Sequence, residues 1–407
     1  MNVVSAGSAD DSPRREPSPL TVVVAPDSFK GSATAVDAAA AVAAGWLRVR
    51  PSDRLILKPM ADGGEGTIDS FAAAFPGATV HPITVVGPDD RAVETSWLQV
   101  PSPHPGGTAV IELASTSGIT LLDPLQPLNA HTFGFGQAIA EALAAGVSRL
   151  VLAIGGSAST DGGAGMLQAL GARFVDAAGQ PVRRGGGGLA DIASIDISTL
   201  ITPPAGGVVV LTDVTNPLLG ARGAAAVYAP QKGADVATVV ELENNLAHFS
   251  TVAAAAFTPD DNAASAVTPG TGAAGGTGYG LTLWGATLLS GATEIAELID
   301  LAAAVSNADI VITGEGRFDA QSTQGKVPEI VVALAAASAT DAYLVAGSIG
   351  AATEAFAATR SLTDLAGSSA SARADAIRWL QLAGAELASE ASASEASSAA
   401  RNLPDAP

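Results

Sequence analysis

Carboxylates, hydroxyls, cations and clustered glycines recur in four segments of this chain, and that mixture is what phosphate chemistry requires. The first segment, PDSFKGS at 26–32, offers Asp27, Ser28 and Lys30 just before a helical stretch. Free backbone N–H groups at a helix start favour anions there. A capping Ser32 or Thr34 with a solvated Lys30 would explain the same residues without a ligand. The second, MADGGEGT at 60–67, sets Asp62 and Glu65 around Gly63 and Gly64, more acid and glycine than a tight turn needs. The third, GGSASTDGGAG at 155–165, opens with Gly155, Gly156 and Ser157 and carries Asp161. Successive glycine N–H groups can form a nest for anionic oxygens.

The fourth segment, TGEGRFDAQSTQGK at 313–326, places Gly314, Gly316 and Ser322 among charged residues. Glu315 and Asp319 are candidates for binding Mg²⁺ or orienting a hydroxyl, and Arg317 and Lys326 for neutralising phosphate. A solvated Arg317–Asp319 or Glu315–Lys326 pair accounts for the charges but not for the glycines. Two shorter segments add Asp213 and Asn216 in DVTNP and Lys232 in APQKG. Asp213 at a strand end is a candidate base or metal ligand, while Lys232 also reads as an ordinary surface lysine.

Together these groups form the inventory of phosphoryl transfer, in which positioning and electrostatic stabilisation do most of the catalysis. Other chemistries are excluded or disfavoured. The chain has no cysteine, so thiolate catalysis, disulfides and iron–sulfur clusters are ruled out. A Walker A loop would need glycine at Ala320 and Ser or Thr at Val327. A nucleophile elbow needs glycines two residues before and after its serine, and neither Ser157 nor Ser348 has both. Gly270, Gly272 and Gly275 satisfy GxGxxG, but SAVTP before them is a poor strand. His81, His104, His131 and His248 are scattered and read as single surface or core histidines.

The elements that would position these loops can be read from hydrophobic periodicity. Short apolar runs at 21–25, 55–57, 110–113, 150–154, 208–211, 310–312 and 343–346 are followed by Gly- or Asp-rich loops, most leading into helical stretches. Alternating strands and helices predict α/β layers with mainly parallel sheets, and ligands then sit beyond the strands' carboxyl ends. Thr34, with Asp37 three residues on, predicts a capped helix start. Residues 79–112 alternate and are broken by PSPHPGG, which predicts antiparallel hairpins. Residues 270–280 are glycine-rich enough for a hinge or a close-packed helix start, and 386–407 read as a frayed helix and tail.

Length and charge bound the partners. The 407 residues are 48% hydrophobic and 15% charged, a globular composition with room for two domains. A formal net charge of −20 argues against nucleic acid and anionic membranes. The first twenty residues lack a signal-peptide core, and the longest apolar run, 38–47, is too short to span a bilayer. A cytoplasmic protein is expected.

Six of these blocks, in order, resemble the type I glycerate kinases: VVAPDSFKGS, ADGGEGT, GGSASTDGGAGMLQALGA, DVTNPLLGARGAA, PQKGA and TGEGRFDAQSTQGK. The resemblance covers residues 20–380. It implies an ATP-dependent, Mg²⁺-requiring kinase that converts D-glycerate to 2-phosphoglycerate, with ATP and the acid as small-molecule partners and homo-oligomers allowed. It also implies a two-domain α/β fold with the active site in the cleft. A Rossmann-like parallel-sheet domain would come from both chain ends, 20–80 and 300–385. A mixed α/β domain at 81–299 would be inserted; residues 1–19 and 386–407 read by composition as a flexible leader and tail beyond the family's usual length. Asp161 or Asp213 would then orient or deprotonate the attacking hydroxyl. Glu315 and Asp319 would sit near Mg²⁺, and Lys30, Arg317 and Lys326 would neutralise phosphate charge. The remaining loop residues, including Lys232, would bind substrate or phosphate. Rival readings are a kinase of another small hydroxy or sugar acid, a two-domain anion-binding protein and, from Gly270–Gly275 alone, a nicotinamide-dependent oxidoreductase.

Overall fold

Each apolar run forms a strand. Among the described residues the strands are β1 (Thr21–Pro26), β2 (Arg54–Leu57), β3 (Thr79–Val86), β4 (Ala92–Val100), β5 (Thr108–Glu112), β6 (Arg149–Ala153), β7 (Arg173–Val175), β8 (Ser194–Asp196), β9 (Val208–Leu211), β10 (Thr287–Leu289), β11 (Ile310–Glu315), β12 (Asp341–Ala346) and β13 (Ala358–Ser361). The computed structural model describes residues 18–29, 31–61, 63, 64, 66–257, 265–319 and 326–401. Lys30, Asp62, Glu65 and Ser322 therefore lie outside the described residues, as does the leader through residue 17.

The expected α/β class holds, with one parallel and one mixed sheet. The parallel sheet has the order β13-β12-β11-β1-β2, so its strands come from both ends of the chain. The larger sheet has the order β10-β9-β6-β5-β4-β3, and β7 and β8 form a separate ribbon. In the larger sheet β5, β6, β9 and β10 run parallel, while β3–β4 and β4–β5 are the expected antiparallel pairs.

Alternation along the strands sorts side chains into three cores. Val22 and Val24 of β1 join Ile310, Ile312 and Tyr343 beneath the helices Ala35–Val49 and Ala376–Arg401. Val23 and Ala25 point the other way, into a core shared by both sheets. There they meet Leu98, Val110 and Val151 of the larger sheet, with Phe71, Ile295 and Val331 from the helices Thr67–Ala74, Gly291–Leu298 and Val327–Ser338. Ile111, Leu150, Leu152 and Val210 line the third core on the far face of the larger sheet, against Phe135, Leu246 and Phe249. Burial on both faces explains why these strands read as continuous apolar runs rather than alternating ones.

Local signals largely hold. Thr34 Oγ1 accepts from the Asp37 N–H at 3.0 Å and starts the helix Ala35–Val49. One expectation is sharpened and one is corrected. The frayed segment from 386 belongs to the continuous helix Ala376–Arg401, with Leu387, Ala388 and Ala391 buried. Alanine favours helix, and small side chains let this helix pack tightly against Ala35–Val49. A Cβ added at Gly45 would lie 1.9 Å from the Gln381 carbonyl oxygen, and one at Gly384 would lie 2.2 Å from that of Val42. The dinucleotide reading also fails, because residues 266–272 form turns and not a strand. The chain then makes a left-handed turn at Ala274, Gly275 and Gly276 with φ of 53°, 66° and 87°. No helix among the described residues is long and apolar enough to cross a membrane.

Candidate active site

The parallel sheet has a switch point between β1 and β11. From β1 the chain crosses outward to β2, and from β11 it crosses the opposite way to β12, which opens a crevice beyond their carboxyl ends. The first and fourth loops meet there, and the Asp27 N–H donates to the Gly314 carbonyl at 2.8 Å. A cleft of about 740 Å³ at this point is lined by Asp27, Ser28, Glu315, Gly316, Arg317, Asp319 and Lys326.

Two glycines permit the tight spacing of the strand ends. A Cβ at Gly314 would stand 2.2 Å from the Val345 carbonyl oxygen, and one at Gly347 would stand 2.2 Å from that of Gly316. Glu315 is buried, whereas the Arg317 side chain is 76% exposed and pairs with Asp319 at 3.2 Å. Lys326 occupies the N-cap of the helix Val327–Ser338, whose positive dipole end favours an anion.

The second loop joins this cleft to the larger sheet. Met60 N–H donates to the Pro26 carbonyl at 2.9 Å, and Gly155 N–H donates to the Gly63 carbonyl at 3.1 Å. Gly63 has φ +88°, and a Cβ there would lie 2.7 Å from Leu211 Cβ at the end of β9. A Cβ at Gly155 would lie 2.6 Å from Gly64 Cα. Gly63, Gly64, Gly155 and Gly156 are thus brought together, with Asp213 just beyond Leu211. Asp213 is exposed and accepts from Ser290 Oγ at 3.1 Å and the Gly291 N–H at 2.9 Å. The Asn216 side chain is used locally, donating to the Arg222 carbonyl and accepting from the Tyr228 hydroxyl at 2.8 and 2.7 Å.

The remaining candidates lie inside the protein. Asp161 is fully buried, and Oδ2 accepts from the Thr132 N–H and hydroxyl, both at 2.9 Å, and from the Gly165 N–H at 3.2 Å. Its Oδ1 accepts from the Gly163 N–H at 3.1 Å. That arrangement suits a carboxylate that holds its loop and a neighbouring helix start together. His131, beside it, is also buried and stands 3.3 Å from Asp90. Burial pushes its pKa below 6.5, against the pull of Asp161 and Asp90.

Lys232 is buried too, not the surface lysine its position allowed; its ammonium donates to the Ser159 carbonyl and lies 3.5 Å from Ser157 Oγ. Burial pushes its pKa down to about 7, with Asp161 opposing the shift.

Among the described residues no three His, Asp or Glu side chains gather to hold a metal. Asp27, Glu315 and Asp319 on one cleft nevertheless suit Mg²⁺, which is held by one or two carboxylates and completed by substrate phosphates. The cleft also contains residues not anticipated from the sequence: Gly347, Ser348, Ile349 and Gly350 after β12, with Thr363 and Arg373 from later helices. GSIG follows an apolar strand, and the strand-end rule that selected the other loops applies to it equally. Arg373 carries no such local signal.

Residues 22–392 match the model of the glycerate kinase family. The glycerate 2-kinase of Escherichia coli (strain K12) is 42% identical over 313 residues, 76% of this chain and 80% of that protein. The glycerate kinase of Halalkalibacterium halodurans is 42% identical over 335 residues, 81% of this chain and 86% of its own. A crystal structure described as glycerate kinase 2, from Salmonella typhimurium LT2, superposes with a TM-score of 0.80 at 35% identity, covering 93% of this chain and 100% of that one. With ordered blocks, two-sheet architecture and near full-length matches in agreement, this chain belongs to the glycerate kinase family and is a kinase.

Proposed function

We propose that the protein transfers the γ-phosphoryl group of ATP to the 2-hydroxyl of D-glycerate, giving 2-phosphoglycerate and ADP. The observation that carries this reading is the hydrogen-bonded chain of loops from the switch-point cleft, through Met60–Gly64, to Gly155. A cleft of about 740 Å³ has the size of a nucleotide site and exceeds the needs of a three-carbon acid. ATP is therefore assigned to the cleft, and glycerate to the Gly63–Gly64 and Gly155–Gly156 turns beside it. The name of the Escherichia coli relative, glycerate 2-kinase, supports the 2-hydroxyl as acceptor.

In this reading Arg317 and Lys326 hold the nucleotide's phosphates, helped by the positive dipole end of the helix Val327–Ser338. One or two of the cleft carboxylates, Glu315 with Asp319 or Asp27, would hold Mg²⁺, which would offset charge on the phosphates. The exposed Gly156 end of the Gly155–Gly156 turn receives the glycerate carboxylate. The 2-hydroxyl oxygen forms the new bond to phosphorus as the bond to the β-phosphate oxygen breaks. Asp213, the exposed carboxylate of the group, takes the hydroxyl proton. Asp161 serves instead as a positioning carboxylate. The domain limits 20–80 with 300–385, and 81–299, stand as proposed boundaries, with closure of the cleft keeping water from the γ-phosphate.

ADP release from ATP and Mg²⁺, with and without D-glycerate, tests the proposal when phosphorus NMR identifies the product. Glycerate-dependent ADP with phosphate on the 2-hydroxyl is expected. Phosphate on the 3-hydroxyl would overturn the regiochemistry, and faster turnover of tartronate or a longer sugar acid would overturn the acceptor.

A further inference from the structure

Lysine occurs four times in the chain, at Lys30, Lys58, Lys232 and Lys326. Of these Lys232 is the one that is described, fully enclosed and placed behind a glycine turn. It ends the short 3₁₀ turn Pro230–Lys232 and is 2% exposed. Its ammonium reaches the inner side of the segment that follows β6, donating to the Ser159 carbonyl and approaching Ser157 Oγ.

Ser157 Oγ also accepts from the Ser159 N–H at 3.1 Å and stands 3.3 Å from the Ala274 carbonyl oxygen, within the left-handed turn. Gly275 leaves room for this contact, since a Cβ there would lie 2.0 Å from the Ser159 carbonyl oxygen. On the outer side of the same segment Gly156 is exposed, with φ +72°. Lys232 therefore lies behind the turn whose outer side exposes Gly156.

Among the described residues no carboxylate pairs directly with this ammonium; Asp161, from the same loop, is the charged group that acts on it. A buried ammonium held by a carbonyl and a hydroxyl is a costly prop for a loop. An anion bound on the outer face recovers part of that cost, because the charge behind the turn attracts it. We propose that Lys232 is a positioning residue for the acceptor's carboxylate: it holds the Ser157–Ser159 segment behind the Gly155–Gly156 turn and favours an anion there without touching it. The inference rests on the assignment of glycerate to that turn.

Linkage sets opposite signs for binding and stability. Anion binding and the charged lysine favour each other, so glycerate affinity falls as pH rises through about 7, where burial has brought Lys232. Folding responds the other way. Between about 7 and the ordinary value of 10.5 the unfolded chain binds more protons, so this group makes stability rise with pH. A purely structural lysine would give the second trend without the first.

The test combines kinetics with carbon NMR of the full chain labelled at lysine Cε, where four lysines give an assignable spectrum. The Lys232 signal is expected to titrate near pH 7, and D-glycerate should move that midpoint up by about one pH unit, the equivalent of tenfold coupling. Glycerate KM should rise about tenfold from pH 6 to pH 9 with kcat less affected. Lys232→Met should raise glycerate KM about tenfold at pH 6 and remove the pH trend, and Lys232→Arg should restore binding without the trend. Should Lys232→Met not fold, Ser157→Ala cuts the link more gently and should raise glycerate KM by about 2- to 12-fold. Unchanged glycerate KM in the folded variants, or a Lys232 midpoint that glycerate does not move, would overturn the proposal. Absence of glycerate-dependent ADP from folded wild type would instead sink the glycerate reading. Inorganic phosphate then serves as the NMR probe: a raised Lys232 midpoint supports the positioning role, and an unmoved one overturns it.

Discussion

The backbone N–H of Gly155 donates to the carbonyl of Gly63 at 3.1 Å, tying the loop after β6 of the larger sheet to the loop after β2 of the parallel sheet. Neither residue could carry a side chain in place: the Cβ positions fall 2.6 Å from Gly64 Cα and 2.7 Å from Leu211 Cβ. The contact is therefore a backbone-to-backbone register between two sheets. Its geometry bears directly on the distance between donor and acceptor in the proposed reaction.

Gly155→Ala should push these loops apart. Stability is expected to fall by about 1–3 kcal/mol through overpacking. Turnover should fall more steeply, by about 100-fold, because a displacement near 1 Å is enough to misalign transfer. Denaturant unfolding and steady-state kinetics on the same preparation check both numbers, and parallel losses of equal size would refute the special role of this contact.

Asp161 and Asp213 should separate cleanly. Asp161→Asn places an amide against four donors in a buried site and should cost at least about 3 kcal/mol of stability. Asp213→Asn, at an exposed position, should cost about 1 kcal/mol through the weakened start of the helix Gly291–Leu298, yet slow turnover by at least about 100-fold. A stable, slow Asp161→Asn enzyme beside a normal Asp213→Asn enzyme would reverse the assignment of the base.

Arg317→Ala removes an exposed cation that pairs with Asp319. Stability should stay within about 0.5 kcal/mol of wild type. The Michaelis constant for ATP should rise by about tenfold, and raising the salt concentration should narrow the gap between variant and wild type. An unchanged constant for ATP would remove Arg317 from the phosphate site.

Asp53 links pH to stability far from the site. Its burial alone would raise its pKa, but Arg50, the Leu20 N–H and Trp46 hold it below 3.8. Since the folded value is depressed, the stabilisation is complete above the unfolded value and is lost as pH falls through the folded one. Asp53→Asn should cost about 3–5 kcal/mol by leaving the buried Arg50 without this partner at 2.6 Å, and should flatten the acid limb of a stability–pH profile.

Much of the architecture was legible before any coordinates. The apolar runs became strands because parallel strands covered on both faces must be continuously hydrophobic, and Thr34 capped its helix because Asp37 presents the N–H it needs. The loops carrying Asp27, Glu315, Gly155 and Asp213 were found by type and by their place at strand ends. From 386 the sequence reads as a frayed helix and tail because Ala and Ser are equally at home in a helix or in coil; burial against the helix Ala35–Val49 holds it helical through Arg401.

What the sequence determined by itself is which chemistry this chain carries: oxygen ligands, glycine turns and a few cations in a fixed order, which restrict it to phosphoryl transfer. Tertiary structure alone decided which of those groups line the cleft and which are enclosed. Asp161 and Lys232 stand among the same polar, glycine-rich blocks as Asp27 and Asp319, which line the cleft, yet they are enclosed and bond backbone groups of their own fold. Residue type specifies what a side chain can bond. Whether its partner is a substrate or a neighbouring carbonyl depends on distances between segments hundreds of residues apart, and those distances are set by how the two sheets pack.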